Sequence, residues 1–328
     1  MPRSGEFDWI ARHFAPLVKE GSFGLLDDAA VWMPDAGCSV AVTADTIVEG
    51  IHFFSDDASD LIARKAVRVN ASDLSAKGVA SQAMMLSLGV PDRWNDDDVE
   101  RFACGLRDDL TSSGIILLGG DTTRSPERLT IAVTMFGSCN PDRYISRLGA
   151  KPGDFVAVCG SIGDAVLGLK IRIGELKASG RDSDALSRRQ AVPTETWLTA
   201  PIVGQGASAA MDVSDGLIGD LAKLCNVSGV SADIDLADMP VSDAAKRVVN
   251  CDDTLILTAM ATGGDDYVIL LTAPQDRKAD LIAAAKACET ELTIIGSIQA
   301  SGSGGESAVR VSHRGVPVEV AEASYQHR

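Results

Sequence analysis

The sequence predicts a mixed α/β protein in two domains, on three observations. Its 328 residues exceed the length at which a single core usually stops growing. Stretches of period-two apolar alternation take turns with helical stretches along both halves. A run of turn formers, Asn140-Pro141, Gly149 and Pro152-Gly153, separates the halves. The expected domains are residues 1–140 and 141–328.

In the first half, SVAVTA at 39–44 reads as a strand, and 59–77 as a helix opened by Ser59 or Asp60 and stopped before Gly78. AMMLSLGV at 83–90 is a strand. Asn95 then caps a helix whose first turn carries Asp96, Asp97 and Asp98, where the amide end favours negative charge, and Gly114 stops it. IILL at 115–118 and LTIAVTMFG at 129–137 are further strands. In the second half, strands are expected near 155–159, 267–272, 292–298, 308–312 and 316–320, and helices near 163–176, 216–226 and 276–288. SGSGG at 301–305 reads as a flexible turn.

Charge narrows the partners. Thirty basic and 46 acidic residues leave a net charge of −16, which disfavours nucleic acid and anionic lipid. No apolar stretch has bilayer-spanning length, and the opening MPRSGEFDWIARHF carries acids where a signal peptide needs an apolar block, so a cytoplasmic protein is expected. Seven scattered cysteines form no C-x-x-C pair, and the four histidines form no close pair, so any metal is expected on oxygen ligands.

The acidic residues supply those oxygens. Asp45 is expected just after the strand 39–44, Asp121 follows 115–118 through two glycines, and Asp212 and Asp215 lie between an apolar segment and a helix. Strand ends open into the ligand crevice of α/β sheets, where acids distant in sequence can converge, with Asp27, Asp28 and Asp73 as further members. Carboxylates without His or Cys suit Mg²⁺, which also takes phosphate oxygens. Singly, each Asp fits a turn or helix cap equally well; the set points to metal-bound nucleotide. Gly119-Gly120-Asp121-Thr122-Thr123 and Gly263-Gly264-Asp265-Asp266 both read either as phosphate-approach loops or as tight turns. The G-x-x-x-x-G-K-[ST] loop and the protein-kinase catalytic motif are missing, and Gly204-Gln205-Gly206 has no clear strand before it.

Taken together, GLLDDAAV (24–31), VTADTIVEGIHF (42–53), KAVRVNASDLSAKG (65–78), LLGGDTTR (117–124), SRLGAKPGD (146–154), MDVSDGLIGDL (211–221) and TGGDDYVIL (262–270) resemble, in order and spacing, the thiamine-monophosphate kinase family. That family lies within a superfamily that includes aminoimidazole ribonucleotide synthetase. The resemblance implies an aminoimidazole ribonucleotide synthetase-like fold, in which an N-terminal sheet pairs with its twin across a homodimer and the C-terminal α/β domain is larger. It implies phosphorylation of thiamine monophosphate to thiamine diphosphate, with ATP as co-substrate and several Mg²⁺ ions. By the same resemblance Asp28, Thr43, Ala44, Asp45, Asp73, Asp121, Asp212 and Asp215 match metal positions. Gly120, Asp121, Arg147 and Ser214 match ATP positions, and His52 and Asp265 match acceptor contacts. Tyr325 is the aromatic nearest the chain end, where the family often has one. Asp45, Asp73, Asp121 and Arg147 form the implied catalytic set.

Three departures stand out: Leu26 replaces a glycine, Ala44 a hydroxyl residue, and Asp265 the usual Glu of GGEDYEL. The acceptor phosphate, with a second pKa of about 6, needs no side-chain base to become a nucleophile. His52 beside Phe53 and Phe54 also fits a packed histidine, and Lys65 and Asn70 are open between structure and function. Two alternatives remain: an amide-activating synthetase of the same superfamily, and a non-catalytic acidic metal or nucleotide sensor.

Overall fold

The computed structural model describes residues 5–19, 21–27, 29–301 and 308–321. Asp28 and Tyr325 lie outside them. The chain divides into two compact units. One runs to Leu74 and resumes from Val79 to Asp142; the other holds Ser75–Gly78 and everything from Arg143 on.

The first unit is built on a four-stranded sheet of β1 (Ser39–Val48), β2 (Ala83–Val90), β3 (Ile116–Arg124) and β4 (Thr130–Cys139), in the order β1-β4-β2-β3. β4 is antiparallel to both of its neighbours, while β2 and β3 are parallel. Strand alternation separates the two faces. Met84, Leu86 and Leu88 of β2 and Ile131, Val133 and Met135 of β4 are buried, whereas Met85 and Ser87 are exposed. Helices α1 (Ser59–Ser75) and α2 (Asp96–Ser113) bury Ile62, Ala66, Val67, Phe102 and Leu106. Asn95 caps α2 as expected: its Oδ1 accepts from the backbone of Asp97 and Asp98, and Asp98 accepts in return from the Asn95 N–H. Gly114 closes α2 in the left-handed conformation. Asp109 joins the two helices, accepting from Arg68 Nε at 2.7 Å and Arg64 Nη1 at 3.0 Å.

The second unit is a seven-stranded sheet of β5 (Phe155–Cys159), β6 (Ala209–Asp212), β7 (Val230–Asp235), β8 (Ile269–Ala273), β9 (Leu292–Ala300), β10 (Val309–His313) and β11 (Val316–Pro317), ordered β11-β10-β7-β9-β5-β8-β6. Both of its faces are covered. Val156, Val158, Met211 and Leu270 join one apolar layer with Leu217, Leu221 and Leu224. Phe155, Ala157, Ala210 and Leu271 join the other with Leu281 and Ala285. The covering helices include α3 (Asp164–Arg172), α4 (Gly180–Ala191), α5 (Leu217–Ser228), α6 (Asp243–Val248), α7 (Thr254–Thr262) and α8 (Lys278–Ala287). No helix among the described residues is long and apolar enough to cross a membrane.

Two strands run past their expected ends. β1 continues to Val48, so Asp45 lies within it rather than after it. β3 continues through both glycines, so Asp121 is a strand residue too. Gly120 serves close packing rather than a turn. A Cβ on Gly120 would stand 1.6 Å from the Leu86 carbonyl oxygen on β2.

Candidate functional site

In the first unit the predicted residues form two groups. Asp45 shares a cross-strand row with Val133, which is itself paired with the buried Leu86, so Asp45 points to the helix-covered face; Thr43, two residues earlier, points the same way. There they meet α1. The Thr43 hydroxyl donates to Asp73 Oδ2 at 2.5 Å, and the Asp45 N–H donates to Asn70 Oδ1 at 3.0 Å. Burial, with Asp73 alongside, pushes the Asp45 carboxyl up to about 6. Two acids in one half-buried place repel unless a proton or cation lies between them. Ala44, between Thr43 and Asp45, faces the opposite side of the sheet.

Asp121 belongs to the second group. It pairs with Ser87, which pairs with Ala132, in turn opposite Thr46, and this row lies on the exposed face. Asp45 and Asp121 are thus on strands at opposite edges of the sheet, three strand spacings or roughly 14 Å apart, and on different faces. Gly120 and Asp121 instead line a pocket of about 190 Å³ with Asp27, Leu25 and Met85. His52 lies just beyond β1. Its Nδ1 accepts from the Val48 N–H at 3.0 Å, which leaves the ring proton on Nε2, and its carbonyl accepts from Lys65 Nζ at 2.7 Å. Lys65 is fully buried.

In the second unit the strand ends do gather candidates. Asp212 ends β6 and is buried; Ser214 and Asp215 follow it. The Gly263–Asp266 segment enters β8 alongside: the Asp265 N–H donates to the Ser214 carbonyl and the Tyr267 N–H to the Val213 carbonyl, each at 2.8 Å. The φ angles of +75° at Asp265 and +50° at Tyr267 hold this segment in a conformation that side chains rarely adopt. Arg147 is exposed, in the segment whose Ser146 carbonyl accepts from the Ala210 N–H of β6. Its own carbonyl accepts from Ser228 Oγ at 2.7 Å.

Two residues outside the expected metal and substrate sets organise this end. Asp220, fully buried on the first turn of α5, accepts from the backbone N–H groups of Ser214 and Asp215 at 3.0 and 2.9 Å. Asp266 accepts from the N–H groups of Gly163 and Ala165, at the start of α3. Lys223 Nζ bridges Asp215 and Asp220, at 2.5 and 2.8 Å. Asp220 and Lys223 sit five and eight residues after Asp215, a helical spacing visible in DGLIGDLAK. A separate cavity of about 1020 Å³, walled by Arg189, Lys246, His313 and Arg314 among others, was not foreseen; Tyr267 and Val268 in its wall directly follow Asp266. Among the described residues no three His, Cys, Asp or Glu side chains form a group able to hold a metal ion.

This architecture defines a two-domain protein of the AIR synthase class. The chain matches AIR synthase related protein, N-terminal domain, over residues 26–139, and AIR synthase related protein, C-terminal domain, over residues 151–308. It is 37% identical to a thiamine-monophosphate kinase of Caulobacter vibrioides over 288 residues, 86% of this chain and 81% of that one. The crystal structure of thiamine-monophosphate kinase from Stenotrophomonas maltophilia K279a superposes with a TM-score of 0.78 at 32% identity, covering 90% of this chain and 91% of that one. A structure of AaThiL complexed with AMPPCP and TMP superposes with a TM-score of 0.76 at 28% identity, covering 93% and 97%. The chain belongs to the thiamine-monophosphate kinase family, and it is an enzyme of that family.

Proposed function

We propose that this enzyme transfers the γ-phosphoryl group of ATP directly to the phosphate of thiamine monophosphate, releasing thiamine diphosphate and ADP. The carrying observation is the Thr43–Asp45–Asp73 group, in which acids are held together by sheet and helix at the cost of their own repulsion. The relatives' names and the AMPPCP and TMP complex support the choice of substrates.

The donor set fits Mg²⁺: every side chain offered is a carboxylate or hydroxyl, and the Asp45–Asp73 repulsion is of the kind a divalent cation relieves. Thr43, Asp45 and Asp73 would hold it, with Asp28, Asp121, Asp212 and the backbone at Ala44 as the further ligands the family pattern suggests. When bound, Mg²⁺ supplies charge neutralisation between two polyanions and fixes their alignment.

The chain's own groups do the rest. Asn70 fixes the Asp45 backbone, and Gly120 brings β3 close to β2 beside Asp121. Arg147 offsets phosphate charge, and Ser214 and Gly120 seat ATP. His52, with its proton on Nε2, is a neutral donor toward the acceptor, joined by Asp265 and Tyr325. The acceptor phosphate is already ionised near neutral pH, so positioning is the main task. Because Asp45 and Asp121 occupy opposite edges of the four-stranded sheet, we assign each complete centre to two copies, Asp45 and Asp73 from one and Asp121 from the other. The acidic composition and the need for ATP suit the cytoplasm.

Incubating the protein with Mg-ATP and either thiamine or thiamine monophosphate tests the reading. Thiamine diphosphate from the monophosphate alone is expected; no product from it would overturn the reading.

A further inference from the structure

The environment of Asp215 differs from that of Asp45. Asp45 has another acid as its charged neighbour, whereas Asp215 already has a cation. Lys223 Nζ lies 2.5 Å from Asp215 Oδ2 and 2.8 Å from Asp220 Oδ1. The longer contact has the length of a charge-assisted hydrogen bond, and the shorter one is closer still. The arrangement is built from within. Asp220 and Lys223 are three residues apart on α5, hence on one helix face, and Asp220 is fully buried. The remaining Asp220 oxygen is committed to the Ser214 and Asp215 N–H groups, so it fixes the loop that carries Asp215. A divalent ion bound through Asp215 Oδ2 would have to displace the ammonium, whose other contact is the buried Asp220.

Resting on the kinase reading above, we infer that Lys223 is the resident cation of the Asp215 position, taking the place of one of the magnesium ions that the family pattern would put there. The ammonium supplies one positive charge beside the Ser214–Asp215 loop at all metal concentrations. The protein then needs one divalent ion fewer than an otherwise identical chain with a neutral residue at 223.

The test counts ions. Wild type, Lys223→Met, Lys223→Arg and Asp215→Asn are each titrated with Mn²⁺ in the presence of a non-hydrolysable ATP analogue, bound ions being counted by the loss of the free-Mn²⁺ spin-resonance signal. Lys223→Met is expected to bind one more Mn²⁺ per chain than wild type, and its melting temperature to rise more on Mn²⁺ addition. Lys223→Arg keeps the wild-type count. Asp215→Asn, made with Lys223 in place, also keeps the wild-type count, and this arm stands even where Lys223→Met fails to fold. Loss of one ion in Asp215→Asn, or equal counts in wild type and a folded Lys223→Met, overturns the inference. Thiamine diphosphate production by wild type is assayed in parallel, so failure of the kinase reading is scored separately from the ion count.

Discussion

Asp266 and Gly163 lie 103 residues apart in sequence and are joined by a 2.7 Å hydrogen bond from the Gly163 N–H to Asp266 Oδ2. A second bond from Ala165 makes Asp266 the acceptor for two buried N–H groups at the start of α3, so one side chain both starts that helix and anchors the strained segment carrying Asp265.

Replacing Asp266 with Ala orphans both N–H groups and is expected to cost about 1–3 kcal/mol, read from urea unfolding. The pH dependence is more specific. Burial, with Asp164 and Asp265 adding, pushes the Asp266 carboxyl from 3.8 to about 8. Across that window the folded chain keeps a proton that the unfolded chain releases, so this group's contribution to stability is full at low pH and is lost as pH rises toward 8. Asp266→Asn, which does not titrate, should lose less stability than wild type between pH 5 and 8; equal losses would refute the assignment.

Asp45→Asn should separate stability from function. Without divalent metal the substitution removes a carboxyl opposed by burial and by Asp73, so the melting temperature in EDTA is expected to rise. Thiamine diphosphate formation in Mg²⁺ should fall by roughly 10²-fold or more, the scale of misplaced reactants. Near-normal turnover across a Mg²⁺ titration would exclude Asp45 from the metal role.

The two neighbouring glycines of β3 should respond differently to a methyl group. Gly120→Ala drives a Cβ into the Leu86 carbonyl, and a loss of about 3 kcal/mol is expected. At Gly119 the nearest atom to such a Cβ is Leu25 Cδ2 at 4.0 Å, so Gly119→Ala should fold like wild type. Chemical denaturation of the pair is the check, and equal midpoints would disprove the packing account.

Asp109 supplies a contrast far from the chemistry. Its carboxylate is 1% exposed and holds Arg68 and Arg64 between the two helices of the first unit. Asp109→Ala removes the buried carboxylate that Arg64 and Arg68 share and should cost about 1.5–3 kcal/mol, measured by denaturant titration. Specific activity per folded molecule should stay at the wild-type level.

The elements most legible in the sequence are those whose ends carry their own chemistry. Asn95 and Gly114 bound α2 because the cap and the left-handed stop are local events. β2 and β5 have the expected limits, 83–90 and 155–159. The sequence pattern does not mark strands β6 and β7 or helices α4, α6 and α7. AAMD is too short to show a period, and TLILTAMAT in α7 is apolar all round. The glycines before Asp121 read as a turn, yet Gly120 allows β2 and β3 to approach, which is a contact between segments distant in sequence. The anchoring roles of Asp220 and Asp266 are hidden for the same reason: they lie in backbone N–H groups that only the folded chain brings to these carboxyls.

The placing of Asp45 and Asp121 on opposite borders of one sheet has a genetic corollary. In the two-copy arrangement, a chain damaged only at Asp45 and a chain damaged only at Asp121 are each inert by themselves. Mixed, they form heterodimers in which one centre collects both lesions and the other collects none. Random reassortment would restore about a quarter of the native centres, so two null alleles would complement each other within a single cell.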